Sequence, residues 1–151
     1  MTEILNTKEI LNTDTHSITV LDDFSEDDTL SIEKMKLLDK LSKIRSKVET
    51  GGVYFNDIII KTDEGSLGKI TSTIMALQSG MMTSIDWKGE NGWIRDVDLD
   101  TMMGIAMVVS AHVQKSFTTE NKISEIIENM LHEDIINVDL DIMWDSYFTS
   151  Q

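Results

Sequence analysis

From Leu30 onward the apolar residues recur at helical spacing. Leu30, Leu37, Leu41, Ile44 and Val48 fall seven, four, three and four apart, an a/d seam that Ile32, Met35 and Leu38 widen into an amphipathic face. Ser31 or Thr29 is the expected cap of this helix, Glu33 sits in its first turn, and Gly51-Gly52 ends it. The period then changes to that of strands, Val53-Tyr54-Phe55 and Ile58-Ile59-Ile60, joined by an Asn56-Asp57 turn into a hairpin. A helix from Leu67 to about Met82 follows, capped by Ser66, with Leu67, Ile70, Ile74 and Leu77 as its core stripe. Thr83 to Trp87 and Trp93 to Leu99, around Lys88-Gly89-Glu90-Asn91-Gly92, read as a second hairpin. Asp100 is the expected cap of a helix running to about Phe117, with Met102, Ile105, Ala106, Val109, Val113 and Phe117 on its buried face. A separate helix spans Glu120 to Leu131 through Ile123, Ile126, Ile127 and Met130, and the segment Val138 to Trp144 closes the chain, with Val138-Asp139-Leu140-Asp141 as a strand-like edge. The expectation is an α+β fold, two short β-hairpins packed with three or four helices.

Residues 1–31 do not share this regularity. The apolar pairs Ile4-Leu5, Ile10-Leu11 and Val20-Leu21 alternate with Asn, Thr, Ser and Asp, and Leu-Asn-Thr occurs twice, at Leu5 and Leu11. The stretch carries a net charge of −7, half of the −14 of the whole 151-residue chain, whereas residues 32–49 carry +3. It reads as an extended acidic N-terminal arm that orders against a partner, with Ile4, Leu5, Ile10, Leu11, Val20 and Leu21 as its contact residues. The chain thus divides into an arm (1–31), an amphipathic basic helix (32–50), a small α+β domain (51–145) and a short tail (146–151). Two heptads at Leu37, Leu41, Ile44 and Val48 leave two readings of the helix: a docking or homo-oligomer surface, or a face packed on its own domain.

Charge and composition narrow the chemistry. A surface of −14 repels phosphate backbones, so no nucleic-acid partner is expected. The apolar runs are far shorter than the roughly 20 residues that span a bilayer, and the N-terminus lacks a basic region followed by an apolar stretch; cytoplasmic synthesis and no membrane partner are expected. Without cysteine there are no disulfides, thiolate metal sites or cysteine nucleophiles. Asp96, Asp98 and Asp100 have the spacing that opens a calcium loop, but Thr101 stands where that loop needs glycine and Met107 where it needs a bidentate glutamate. His16, His112 and His132 are scattered, and Gly65-Ser66-Leu67-Gly68 has neither a nucleophile elbow nor a phosphate loop's lysine. Met81-Met82 and Met102-Met103 read as core filling. No catalytic residue, metal ligand or cofactor is assigned, and a non-enzymatic role is expected.

In order and spacing the middle of the chain resembles a domain of unknown function that recurs in bacteriophage tail-fibre and tail-assembly proteins and in prophages. The likeness runs from Lys47-Val48-Glu49 into Gly51-Gly52-Val53-Tyr54-Phe55, Ile58 to Ile60, and Thr62-Asp63 with Ser66. It continues through Trp87, Trp93, Ala111-His112-Val113-Gln114 with Phe117, and Val138-Asp139-Leu140 before Trp144, covering about residues 41–145. The chain departs from the family at the hairpin turn, with Asn56-Asp57 where Asn-Gly is frequent, and in the arm, which has no counterpart. The resemblance implies a virion structural protein of the tail, fibre or baseplate region docking on a larger phage structural protein, or else a fibre-assembly chaperone absent from the mature particle. It brings no catalytic residues, and it implies that Phe55, Trp87, Trp93 and Phe117 pack the core and hairpins.

Overall fold

The computed structural model of the chain describes residues 7–10, 18–21 and 25–150. Thr7–Ile10 (β1) and Ile18–Leu21 (β2) pair antiparallel, with Thr7 opposite Leu21 and Ile10 opposite Ile18, so part of the expected extended arm is a strand pair. Ile4, Leu5 and Leu11 of the arm lie outside the described residues, as do the side-chain contacts of Ile10, Val20 and Leu21.

The first helix, α1 (Glu26–Glu49), begins inside the acidic run instead of at Ser31. Ser25 Oγ accepts from Asp28 N–H at 3.1 Å and the Asp28 carboxylate accepts from Ser25 N–H at 3.2 Å, a capping box. Glu26, Asp27 and Asp28 therefore form the first turn, where the positive end of the helix dipole favours acids. At the other end Gly52 turns the chain with φ 90°. Thr62, fully buried, donates its hydroxyl to Glu49 O and accepts from Gly52 N–H at 3.0 Å, tying the end of α1 to the hairpin that follows.

That hairpin, β3 (Val53–Phe55) and β4 (Ile58–Ile60), has the expected register, with Val53 opposite Ile60 and Phe55 opposite Ile58. Asn56 (φ 47°) and Asp57 (φ 63°) are both left-handed, as a two-residue turn compatible with strand twist requires. Asp63, not Ser66, caps α2 (Glu64–Gln78); Ser66 instead donates its hydroxyl to the Asp63 carboxylate at 2.9 Å. The helix stops before Gly80, so Met81 and Met82 lie beyond it and are exposed, contrary to the core role expected of them. In the second hairpin, β5 (Ile85–Lys88) and β6 (Trp93–Val97), the turn docks on the edge of β4. Glu90 N–H donates to Ile59 O at 2.9 Å, Ile59 N–H donates to Asn91 Oδ1 at 2.7 Å, and Asn91 Nδ2 donates to Asp57 O at 2.9 Å.

Asp98 caps α3, accepting from Thr101 N–H at 2.9 Å, and α3 runs without interruption from Leu99 to Asn129. Two helices were expected here, broken at Thr118-Thr119. The break does not occur because Ser116 and Thr119, both fully buried, donate their hydroxyls one turn back to His112 O (3.0 Å) and Lys115 O (2.9 Å). A short α4 (His132–Ile135) leads to α5 (Leu140–Thr149), whose cap Asp139 makes helical the Leu140-Asp141 pair expected at a strand-like edge. Two cores result. Ile60, Ile70, Leu77, Val97, Met102, Ile105 and Val109 close the hairpins and α2 over the first half of α3. Leu41, Ile123, Ile127, Leu140 and Trp144 close α1 and α5 over its second half.

Two glycines test this packing in opposite senses. A Cβ on Gly89 would lie 2.3 Å from Ile58 Cγ2 and 2.7 Å from Ile59 O, whereas one on the α2 residue Gly68 meets nothing within 4 Å. Gly89→Ala should destabilise the chain by about 1–3 kcal/mol through overpacking, and Gly68→Ala should stabilise it by about 0.5–1 kcal/mol through helix propensity. Urea unfolding followed by circular dichroism checks both, and a neutral Gly89→Ala would contradict the docked turn.

Candidate functional site

Three places on the molecule gather side chains beyond what either core needs. The first is the joint where the last turns of α1 meet the middle of α3. Arg45 and Glu49, one turn apart on α1, face Phe117 and Glu120, three apart on α3. Arg45 Nε donates to Glu120 Oε2 at 3.0 Å and Nη1 donates to Glu49 Oε2, while the guanidinium carbon lies 4.7 Å from the centre of the Phe117 ring. The three charged side chains are only 17–22% exposed. Burial by itself would lower the Arg45 pKa, and the bonds and charges of Glu49 and Glu120 outweigh it, so the net shift is upward. Beside this cluster His112 Nε2 donates to Val48 O at 2.9 Å. The guanidinium fork holds two carboxylates and stacks on an aromatic ring, which makes the joint a clamp.

The second is the outer face of the β5–β6 hairpin. Trp93 is half-exposed there, with the Arg95 guanidinium 4.9 Å and the Lys88 ammonium 5.7 Å from its ring centre. Arg95 donates to Asp86 across the strands, and Asp96, left-handed at φ 52°, gives its N–H to the other Asp86 oxygen at 3.3 Å. The Arg95 bond first and the Asp96 N–H second hold the Asp86 carboxyl below its ordinary pKa. Trp93 was expected to pack inward; it covers its own strands' cations instead.

The third is the outer face of α3. Met103, Met107, Ser110, Gln114, Phe117 and Asn121 recur at four, three, four, three and four, and all are exposed. They lie on the side of the helix away from Met102, Ile105, Val109 and Ile123. Phe117 and Met103 were expected in the core and stand outside it. The signal was present in the spacing, since this second stripe is out of phase with the first, and in the run Thr101 to Gln114, which has no acidic residue, lysine or arginine.

The seam on α1 is used internally. Leu41 is fully buried in the second core, and Leu37, Ile44 and Val48, partly buried, pack around it, so within the chain the seam at 32–49 faces the chain's own bundle. Asp98 of the acidic triplet is spent as the α3 cap, and the bonds it accepts from the Thr101 N–H and hydroxyl depress its pKa. Asp63, the α2 cap, is depressed by Ser66 in the same way.

Removing the cation from the joint leaves two neighbouring carboxylates partly buried. Arg45→Met should lower the unfolding free energy by about 1–3 kcal/mol, and Arg45→Lys, which keeps the charge without the planar fork, should recover only part of it. Urea titrations of the three proteins check the order, and an Arg45→Met variant as stable as the parent would contradict the clamp.

With this geometry in hand, comparison with known proteins places the chain. A family model described as a domain of unknown function (DUF4376) matches residues 33–142, from the first half of α1 into α5, and the chain belongs to that family. No curated protein and no solved structure matches it.

Proposed function

We propose that this member of the DUF4376 family is a structural component of a bacteriophage particle, of the tail, fibre or baseplate region, that docks on a larger virion protein. The role is recognition without catalysis. Its polar clusters serve architecture: Arg45 joins two helices, Asp63 and Asp98 cap two others, and Thr62 and His112 bind the end of α1. The observation that carries the reading is what the surface keeps in return. Met103 and Met107 on α3, Leu131 and Ile136 flanking α4, and Ile142 on α5 are large apolar side chains left in solvent, the material from which contacts between proteins are made. The ordered resemblance to tail proteins over residues 41–145 supplies the particle, and the acidic stretch ahead of α1 supplies a second contact with a neighbouring subunit.

Mass spectrometry of particles purified from the lysate tests this directly, with the chain expected at stoichiometric copy number. Its presence in lysate complexes with a fibre protein and absence from particles would favour a fibre-assembly chaperone, and absence from both would overturn the reading. The role of the arm is tested by truncation after residue 24, which spares the capping box at Ser25 and Asp28. The truncated chain should melt at nearly the same temperature and fail to enter particles.

A further inference from the structure

We infer that in the free chain the acidic arm, residues 1–24, folds back at Ser25 and lies along the outer face of α1, with β1–β2 seated over Ile32 and Met35. The root of the arm selects this surface. Glu33 Oε2 lies 3.6 Å from His132 Nδ1 and Lys34 Nζ donates to Glu128 O at 2.7 Å, so α1 meets the end of α3 and the start of α4 at those residues. Ser25 stands eight residues further out, about 12 Å along the helix axis. Only residues 22–24 separate it from β2, so the protein surface nearest to β2 is α1 itself. On the side of α1 away from Leu37, Leu41, Ile44 and Val48, Asp28, Ile32, Met35, Asp39 and Lys43 recur at four, three, four and four. Met35 is 63% exposed, and neither it nor Ile32 belongs to either core.

The arm carries the complement of that face. Residues directly opposite in an antiparallel pair share a face, so the register places Lys8, Val20, Ile10 and Ile18 on one face of β1–β2 and Thr7, Glu9, Thr19 and Leu21 on the other. One face is aliphatic apart from a single lysine. A lone two-stranded hairpin is marginal in water and gains stability from an apolar surface beneath such a face. The spacing along the contact also matches. A strand residue rises about 3.3 Å and a helix residue about 1.5 Å, so a reversal at 22–24 sets Lys8 and Val20 level with Asp27-Asp28, and Ile10 and Ile18 level with Ile32. Asp14, midway between the strands in sequence, then falls level with Lys36 to Lys40. Opposite charges meet at both ends, a lysine on the acidic first turn and an acid on the lysines. Lys36 is exposed with no ion-pair partner among the described residues, and Asp39, the single acid between Glu33 and Glu49, is already paired with Lys43 at 2.6 Å. Exposed ion pairs are weak, but a tether gives the arm a millimolar effective concentration, enough to fill a shallow contact within one chain. Neither core depends on that contact, so the melt of the rest does not. Every copy carries both the arm and the lysine face, and an unseated arm would join copies head to tail; seating it keeps free chains apart. On the reading proposed above the arm meets a neighbouring subunit in the particle, whereas its rest on α1 belongs to the free chain and stands or falls separately.

Hydrogen exchange of the full chain at low micromolar concentration, read by mass spectrometry, should show residues 7–10 and 18–21 protected by about tenfold or more over an unfolded peptide. Met35→Glu, at an exposed site, should remove that protection while the thermal melt stays within about 2 °C of the parent. Carbodiimide joins a carboxylate to an amine only where the two touch. Applied to the unmodified chain, it should couple Asp14 to Lys36, Lys40 or Lys43 within one molecule, in preference to the equally exposed Lys61, Lys69, Lys88 and Lys122. Arm amides that exchange without protection would overturn the proposal, as would protection that survives Met35→Glu. Coupling of Asp14 found only between molecules, or spread evenly over all the exposed lysines, would overturn it equally.

Discussion

One helix of 31 residues must supply the apolar stripe of two separate cores, and the rest of the fold is arranged around that requirement. At 1.5 Å per residue α3 is about 46 Å long, more than one small core can cover. Its first half gives Met102, Ile105 and Val109 to a layer made of two hairpins and α2; its second half gives Ile123 and Ile127 to a bundle with α1 and α5. Each such buried side chain contributes about 1.5–3 kcal/mol relative to exposure. Each half is small and correspondingly marginal by itself, and the continuity of α3 makes them one object.

Between the two cores the helix passes through a polar belt, and there the end of α1 is received. The last carbonyls of a helix have no partner within it. In α1 the Val48 carbonyl is met by His112 from α3 and the Glu49 carbonyl by Thr62 from beyond the hairpin, so each core contributes to closing the same helix end. Arg45 completes the belt by bridging its own helix to Glu120. Ser116 and Thr119 fit the same zone because their hydroxyls are satisfied one turn back, which removes the cost of burying them.

What the sequence revealed follows the range of the interactions involved. The β3–β4 hairpin, the stripe Leu67 to Leu77 and the family were legible because turn chemistry and periodicity are local. The start of α1 was equally local, a capping box at Ser25 and Asp28, but the acidic run around it carries no apolar helical period and reads as part of the arm. The continuity of α3 was hidden because Thr118-Thr119 resembles a boundary until the buried hydroxyls are seen to be paired within the helix. Phe117 was placed inside by its spacing from Val113, Trp93 by the family resemblance and Met103 by residue type, and none of these distinguishes a core side chain from a surface one. The Arg45 clamp joins residues 75 apart in sequence, and no spacing rule reaches that far. For the α1 seam, its apolar character was readable but its occupant was not.

The central claim is that α3 makes the two cores one cooperative unit, and its own tryptophans can report on it. Trp87 packs against the first core and Trp144 lies in the second. Urea unfolding of two variants, one retaining only Trp87 and the other only Trp144, measures each core separately by fluorescence. The account predicts coincident midpoints and equal slopes once each is referenced to the same variant's far-ultraviolet circular dichroism. Two separated transitions, with the bundle lost while the hairpin layer stays folded or the reverse, would contradict it.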